Sequence, residues 1–150
     1  MDSNQYFSSS PLNNGTSLVV TPRVAGDAVT APELFYRAWE ECVELQAQPQ
    51  ELWVGKSLAA LTDLDRYEVG IYSGDAFIGG LVVGLDDEVH VGPCMTVFSQ
   101  YVVPEHRNKG VAVLCMRTAI RLTKQEGMPY LAYTHRVGDW RYETLYRRVL

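Results

Sequence analysis

The stretch from Cys94 to Thr134 constrains the fold more than any other part of this chain. Cys94–Val103 is an apolar strand pattern that stops at Pro104, because proline has no N–H to give a sheet. A charged turn, Arg107-Asn108-Lys109-Gly110, follows. Over 111–126, Val111, Leu114, Cys115, Thr118, Ala119 and Leu122 share one face of a helix, and Arg117, Arg121 and Lys124 take the other. Gly127 gives a C-cap signal and Pro129 forbids continuation. Tyr130–Thr134 then returns to a short apolar strand. A strand, a long amphipathic helix and another strand in succession demand a mixed α/β architecture.

The rest of the chain fits round that unit. Residues 1–17 form a polar, Ser/Asn-rich arm, and 18–150 form one domain. Ser17–Val24 reads as a strand. Thr30 and Glu33 have capping-box spacing, with Pro32 in the first turn. Leu34, Phe35, Ala38, Trp39, Cys42 and Leu45 then recur at helical intervals, and Pro49 ends the run. Residues 50–61 give a weaker helix with Leu52, Trp53 and Leu58 inward. The period changes at Tyr67, Val69 and Ile71, which alternate as a strand. Gly74-Asp75 signals a hairpin, 76–85 is the return strand, and Asp86-Asp87 makes the next turn. Residues 139–149 read as a last amphipathic helix. The expected order is β-α-α-β-β-β-α-β-α.

The chain has 150 residues, and a domain of that size buries roughly two thirds of its unfolded surface. The net charge of −5 argues against a uniformly basic nucleic-acid binder. The charge is unevenly spread. Residues 1–100 hold 4 basic and 14 acidic side chains, whereas 101–150 hold 9 basic and 4 acidic. The basic third is where an anionic ligand belongs. Three distant cysteines without a CxxC argue against a zinc ribbon or a disulfide framework. The histidines have no metal spacing, so no metal site is expected. No apolar run approaches a membrane span, and the N-terminus lacks the features of a signal peptide. A cytoplasmic protein with no membrane partner is expected.

The chemistry concentrates at 101–112. A helix that begins near Gly110 leaves its first N–H groups without internal partners, and its positive dipole end favours anions. Gly110 lets backbone approach a bulky phosphate, and Arg107 and Lys109 add charge. The segment has neither a Walker loop nor a GxGxxG fingerprint.

Val-Pro-Glu-His-Arg-Asn-Lys-Gly-Val-Ala resembles the acetyl-CoA signature of GNAT-superfamily N-acetyltransferases, Arg/Gln-x-x-Gly-x-Gly/Ala. Here that signature is Arg107-x-x-Gly110-x-Ala112. Leu145-Tyr146-Arg147-Arg148 is similar to the family's closing helix end. The resemblance is most specific over 96–148. It implies a GNAT-like mixed sheet flanked by helices and lacking the family's last two strands, since the chain stops at Leu150. Backbone amides of Arg107, Asn108, Lys109, Gly110, Val111 and Ala112 would hold the pyrophosphate of acetyl-CoA. Tyr101, Val102 and Val103 would hydrogen-bond the pantetheine arm, where the strand splays from its neighbour. A backbone N–H near Val102 or Val103 would polarise the thioester carbonyl. Tyr146 matches the tyrosine that protonates the leaving thiolate, a proton transfer its ordinary pKa near 10 allows.

Departures accompany the match. The family has an Asn seven residues before that tyrosine and an Ala three further on, where this chain has Asp139 and Tyr142. Glu88, His90, Glu105 and His135 are candidate general bases. The resemblance implies acetyl transfer to a small amine or a protein amine. It also extends to the short acetyltransferase-like proteins of tailed bacteriophages, some of them virion components. That gives a second reading, an inactive structural protein in the host cytoplasm or the virion, assembled with copies of itself or with other virion proteins. A CoA-binding module without turnover is a third.

Overall fold

The computed structural model describes residues 8–11 and 15–150. A short strand β1 (Ser8–Pro11) and β2 (Thr16–Arg23) are followed by helices α1 (Glu33–Glu41) and α2 (Gln50–Thr62). Next come β3 (Arg66–Ser73), β4 (Ala76–Glu88), β5 (Gly92–Val102), helix α3 (Val111–Gln125), β6 (Tyr130–Gly138) and β7 (Arg141–Arg148). All seven strands form one sheet in the order β1-β2-β3-β4-β5-β6-β7. Every pairing is antiparallel except β5 with β6, which α3 joins as a parallel crossover. Of the polar arm, Ser8–Pro11 pairs with Ser17–Val20, and residues 1–7 and 12–14 lie outside the described residues.

The sheet carries helices on both faces, and two adjacent glycines of β4 mark them. A Cβ on Gly79 would meet Val111 of α3 at 3.0 Å. A Cβ on Gly80 would meet Phe77, which lines a recess with Leu34 and Phe35 of α1. The core gathers Val69, Ile71, Met95, Leu131, Cys115 and Leu122, all buried. The inward face of α3 is the one its periodicity predicts.

The β5–β6 pairing lasts only three residues, from Met95 opposite Leu131 to Val97 opposite Tyr133. Beyond it the strands part. A bulge explains the departure. Val82 faces Ser99 and Val83 faces Val97, so Phe98 is an extra residue that bends β5.

Several expectations from the sequence change. Residues 139–149 are not a helix, since 141–148 form β7. Gly138-Asp139-Trp140 reverses the chain, and β7 then pairs with β6 along its whole length. Its alternating Tyr142, Thr144 and Tyr146 favour that extended form. The turn after β4 falls at 89–91 rather than at Asp86-Asp87. Glu88 sets it by accepting the N–H groups of His90 and Val91 at 2.8 and 3.1 Å. Leu52 is exposed, while Val54 and Leu61 face inward on α2. The capping box does not form, because the Thr30 N–H goes to Glu68 and its hydroxyl accepts from Arg23. Among the described residues no helix is long and apolar enough to cross a membrane.

Candidate active site

The parting of β5 and β6 opens a groove of about 980 Å³, flanked by α1, α2 and the start of α3. Tyr101, Val102, Arg107, Asn108, Gly110 and Ala112 line it, so the structure gathers most of the predicted cradle in one place. Gly110 takes φ +85° as the N-cap of α3, with no side-chain cap on the helix. Asn108 is also left-handed, at φ +60°. The first intrahelical bond runs from the Leu114 N–H to the Gly110 carbonyl. The N–H groups of Val111, Ala112 and Val113 therefore have no partner within the helix. A Cβ on Gly110 would meet nothing within 4 Å, so the space before the helix start is open.

The strand end is also prepared. The Val103 N–H is donated to the Ile78 carbonyl at 2.9 Å and is not free to polarise a carbonyl in the groove. Alternation along an antiparallel ladder then turns the amides of Val102 and Gln100 away from β4, toward the gap. Of the two amides the sequence offers for that role, Val102 has the right direction.

Arg107 does not point its guanidinium at the open space. It donates Nε to the Val102 carbonyl at 3.0 Å and pairs with both carboxylate oxygens of Glu41, at the end of α1. Tyr101 donates its hydroxyl to the same carboxylate at 2.8 Å, and Arg107 stacks over the Tyr101 ring. The Arg107 bonds, joined by that of Tyr101, hold the Glu41 carboxyl below its ordinary range against the effect of burial. Burial, then the bond to Glu41, pushes the Tyr101 hydroxyl up to about 12.

A second carboxylate fastens the far wall. Glu44 lies in the 3-10 turn Val43–Ala47 with its side chain only 7% exposed, and accepts from Arg136 at 2.5 Å, from Tyr142 at 2.5 Å and from the Trp140 N–H at 3.2 Å. Arg136 is the chief cause of its low pKa. Burial, followed by Glu44, pushes the Tyr142 hydroxyl up to about 12. Glu41 and Glu44 thus clamp the segment after α1 to the cradle on one side and to the β6–β7 hairpin on the other.

The remaining predicted residues lie as follows. Tyr146 sits on β7 opposite Ala132, and its hydroxyl meets Glu88 at 2.9 Å and His90 at 2.8 Å beside the β4–β5 turn. It does not line the groove. Glu105 is paired with Arg37 at 2.8 Å. His135 lines the groove, with Glu143 at 3.8 Å. Among the described residues no cluster of His, Cys, Asp and Glu suits a metal ion. Glu41 and Glu44 escape a reading of the sequence because their partners lie 60 to 98 residues away.

The model of the acetyltransferase (GNAT) family matches residues 31–141. No curated protein matches the chain significantly by sequence. Solved structures match it in fold. A GCN5-related N-acetyltransferase from Ralstonia eutropha superposes with a TM-score of 0.55 at 19% identity, covering 79% of this chain and 83% of that one. The aminoglycoside 6'-N-acetyltransferase AAC(6')-IG from Acinetobacter haemolyticus gives 0.54 at 19% identity over 81% of each chain. AAC(6')-Iy, solved with the bisubstrate analogue CoA-S-monomethyl-acetylneamine, gives 0.51 at 12% identity over 82% of each.

Proposed function

The chain belongs to the acetyltransferase (GNAT) family, and from that premise we propose that it transfers an acetyl group from acetyl-CoA to a primary amine by direct attack of the neutral nitrogen. The observation that carries this reading is the gap between β5 and β6, opening beside the uncapped start of α3. When bound, acetyl-CoA supplies the acetyl group as a thioester: the amine nitrogen forms the new C–N bond, the C–S bond breaks, and the thiolate ends with the proton that the amine gives up.

The chain's own residues do the binding and orienting. The N–H groups of Val111, Ala112 and Val113, with the backbone at Asn108 and Gly110, would hold the pyrophosphate. The Val102 N–H would donate to the thioester oxygen on which charge develops. Arg107 and Arg136 line the groove from the basic last fifty residues, and the one acidic side chain in its lining, Glu41, is already bound by Arg107 and Tyr101. That balance suits the anionic nucleotide.

Calorimetric titration with CoA tests the cradle. Binding that weakens as salt rises is expected, and no heat from folded protein at high CoA overturns the reading. A second reading, a GNAT fold kept as a structural or virion component, is favoured by Arg107, whose guanidinium is already taken by Glu41. A folded protein that neither binds CoA nor acetylates any amine of a broad panel would support it.

A further inference from the structure

β7 is the outer strand of the sheet, and among the described residues nothing pairs with its free side. Open edges are normally blunted by shortness, proline or a covering element. β1, at the opposite edge, is four residues long and ends in Pro11. β7 has eight residues with neither proline nor glycine, and every one of them is exposed. Tyr142, Leu145 and Tyr146 are among the largest exposed apolar side chains of the protein, and Trp140 flanks them. Arg147 has no ion-pair or hydrogen-bond partner among the described side chains, while Glu143 has only His135 at 3.8 Å.

The sequence of the strand says what fits there. A second copy turned by a two-fold axis normal to the sheet keeps each side chain on its own face. Residues of equal parity must then face one another, so each permitted register has one residue opposite itself. Centring on Glu143 sets two carboxylates together. Centring on Thr144 sets Arg141 against Arg147. Centring on Tyr146 leaves Glu143 opposite Val149 and Arg147 opposite Leu145. Centring on Leu145 sets leucine on leucine, Glu143 on Arg147 twice, and Tyr142 beside Arg148 twice. Opposite charges facing across strands stabilise a pair and like charges oppose it.

We propose that β7 is a self-association edge, on which two copies of the chain pair antiparallel about Leu145 and continue the sheet from one copy into the other.

Light scattering on the full chain should give twice the 16.8 kDa chain mass as concentration rises. Leu145→Cys should cross-link to itself under mild oxidation, because that residue faces its own copy. Glu143→Cys should not. The native cysteines, Cys42, Cys94 and Cys115, are all buried and give no background. Glu143→Arg and Arg147→Glu should each return the protein to a monomer, and the double swap should restore the dimer. A monomer at every concentration overturns the proposal. So does a dimer that cross-links through Glu143→Cys and not Leu145→Cys, or whose mass ignores the charge swaps. Circular dichroism confirms that each variant is folded, and the cysteine pair decides the matter if a charge variant is not.

Discussion

Gly110 holds φ +85° with open space round it, so the reason for glycine there is conformational and not steric. Gly110→Ala is expected to lower stability by about 1 kcal/mol, the cost of a left-handed L-residue, and to weaken CoA binding through the displaced amides. Thermal unfolding and titration measure the two effects separately. Gly110 was legible from its place between a charged turn and a helix. Tyr146 was legible as a tyrosine but not in its surroundings, because its partners Glu88 and His90 come from a distant turn. Burial alone would raise the Glu88 pKa; bonds from His90, two backbone N–H groups and Tyr146 outweigh it and hold the carboxyl near 2, below its ordinary 4.5. A depressed carboxylate stabilises the fold fully above its unfolded pKa, and the contribution is lost as pH falls through the folded one. Stability should therefore decline between about pH 4.5 and about 2, and Glu88→Gln should flatten that slope in acid unfolding curves. Tyr146→Phe should change the same slope and leave acetyl transfer unaltered, since its hydroxyl stands outside the groove. A fall in turnover with CoA affinity intact would instead make it the acid for the thiolate.

At the scale of elements, β4 shows why one sheet can hold helices on both faces. A Cβ on Gly80 would lie 2.3 Å from the Val69 carbonyl oxygen and 2.9 Å from Phe77. Gly80→Ala must push backbone apart, and a loss of about 2 kcal/mol is expected from such overpacking, read as a shift in the urea midpoint at constant slope. The helix α3 was legible because its apolar positions, its glycine stop and its charged face all agree. β7 was not. Trp140, Leu145 and Val149 permit a helical stripe, and Tyr142, Thr144 and Tyr146 permit a strand, so local pattern leaves the choice open. The choice is made by Gly138 and Trp140, the latter at φ +61°, which fold the chain back on β6, and by Glu44, which binds the Trp140 N–H and the Tyr142 hydroxyl. That carboxylate is supplied from a segment nearly a hundred residues earlier, beyond the reach of any periodicity.

Across the whole molecule, β1 to β5 form a run in which each strand pairs with its neighbour in sequence, and β6 with β7 form a separate hairpin. Three facing residues join the two parts within the sheet. Within the sheet this narrow seam makes the hairpin the part expected to open most readily, with the Glu44 bonds and Leu131 in the core as its other anchors. In the monomer, at low concentration, the hairpin unit, with every residue of β7 exposed, is expected to open first and to do so as a block, giving its amide protons to deuterium together and before those of β3 and β4. Within the seam's open end, the Gln100 and Val102 amides should exchange faster than those of Tyr101 and Val103. Saturating CoA should slow the first pair and leave the second unchanged, and exchange followed by nuclear magnetic resonance resolves all four. The gap that gives a ligand its place thus also sets where the sheet opens, so that an occupant of the groove would act as a rivet across strands that meet at only three residue pairs.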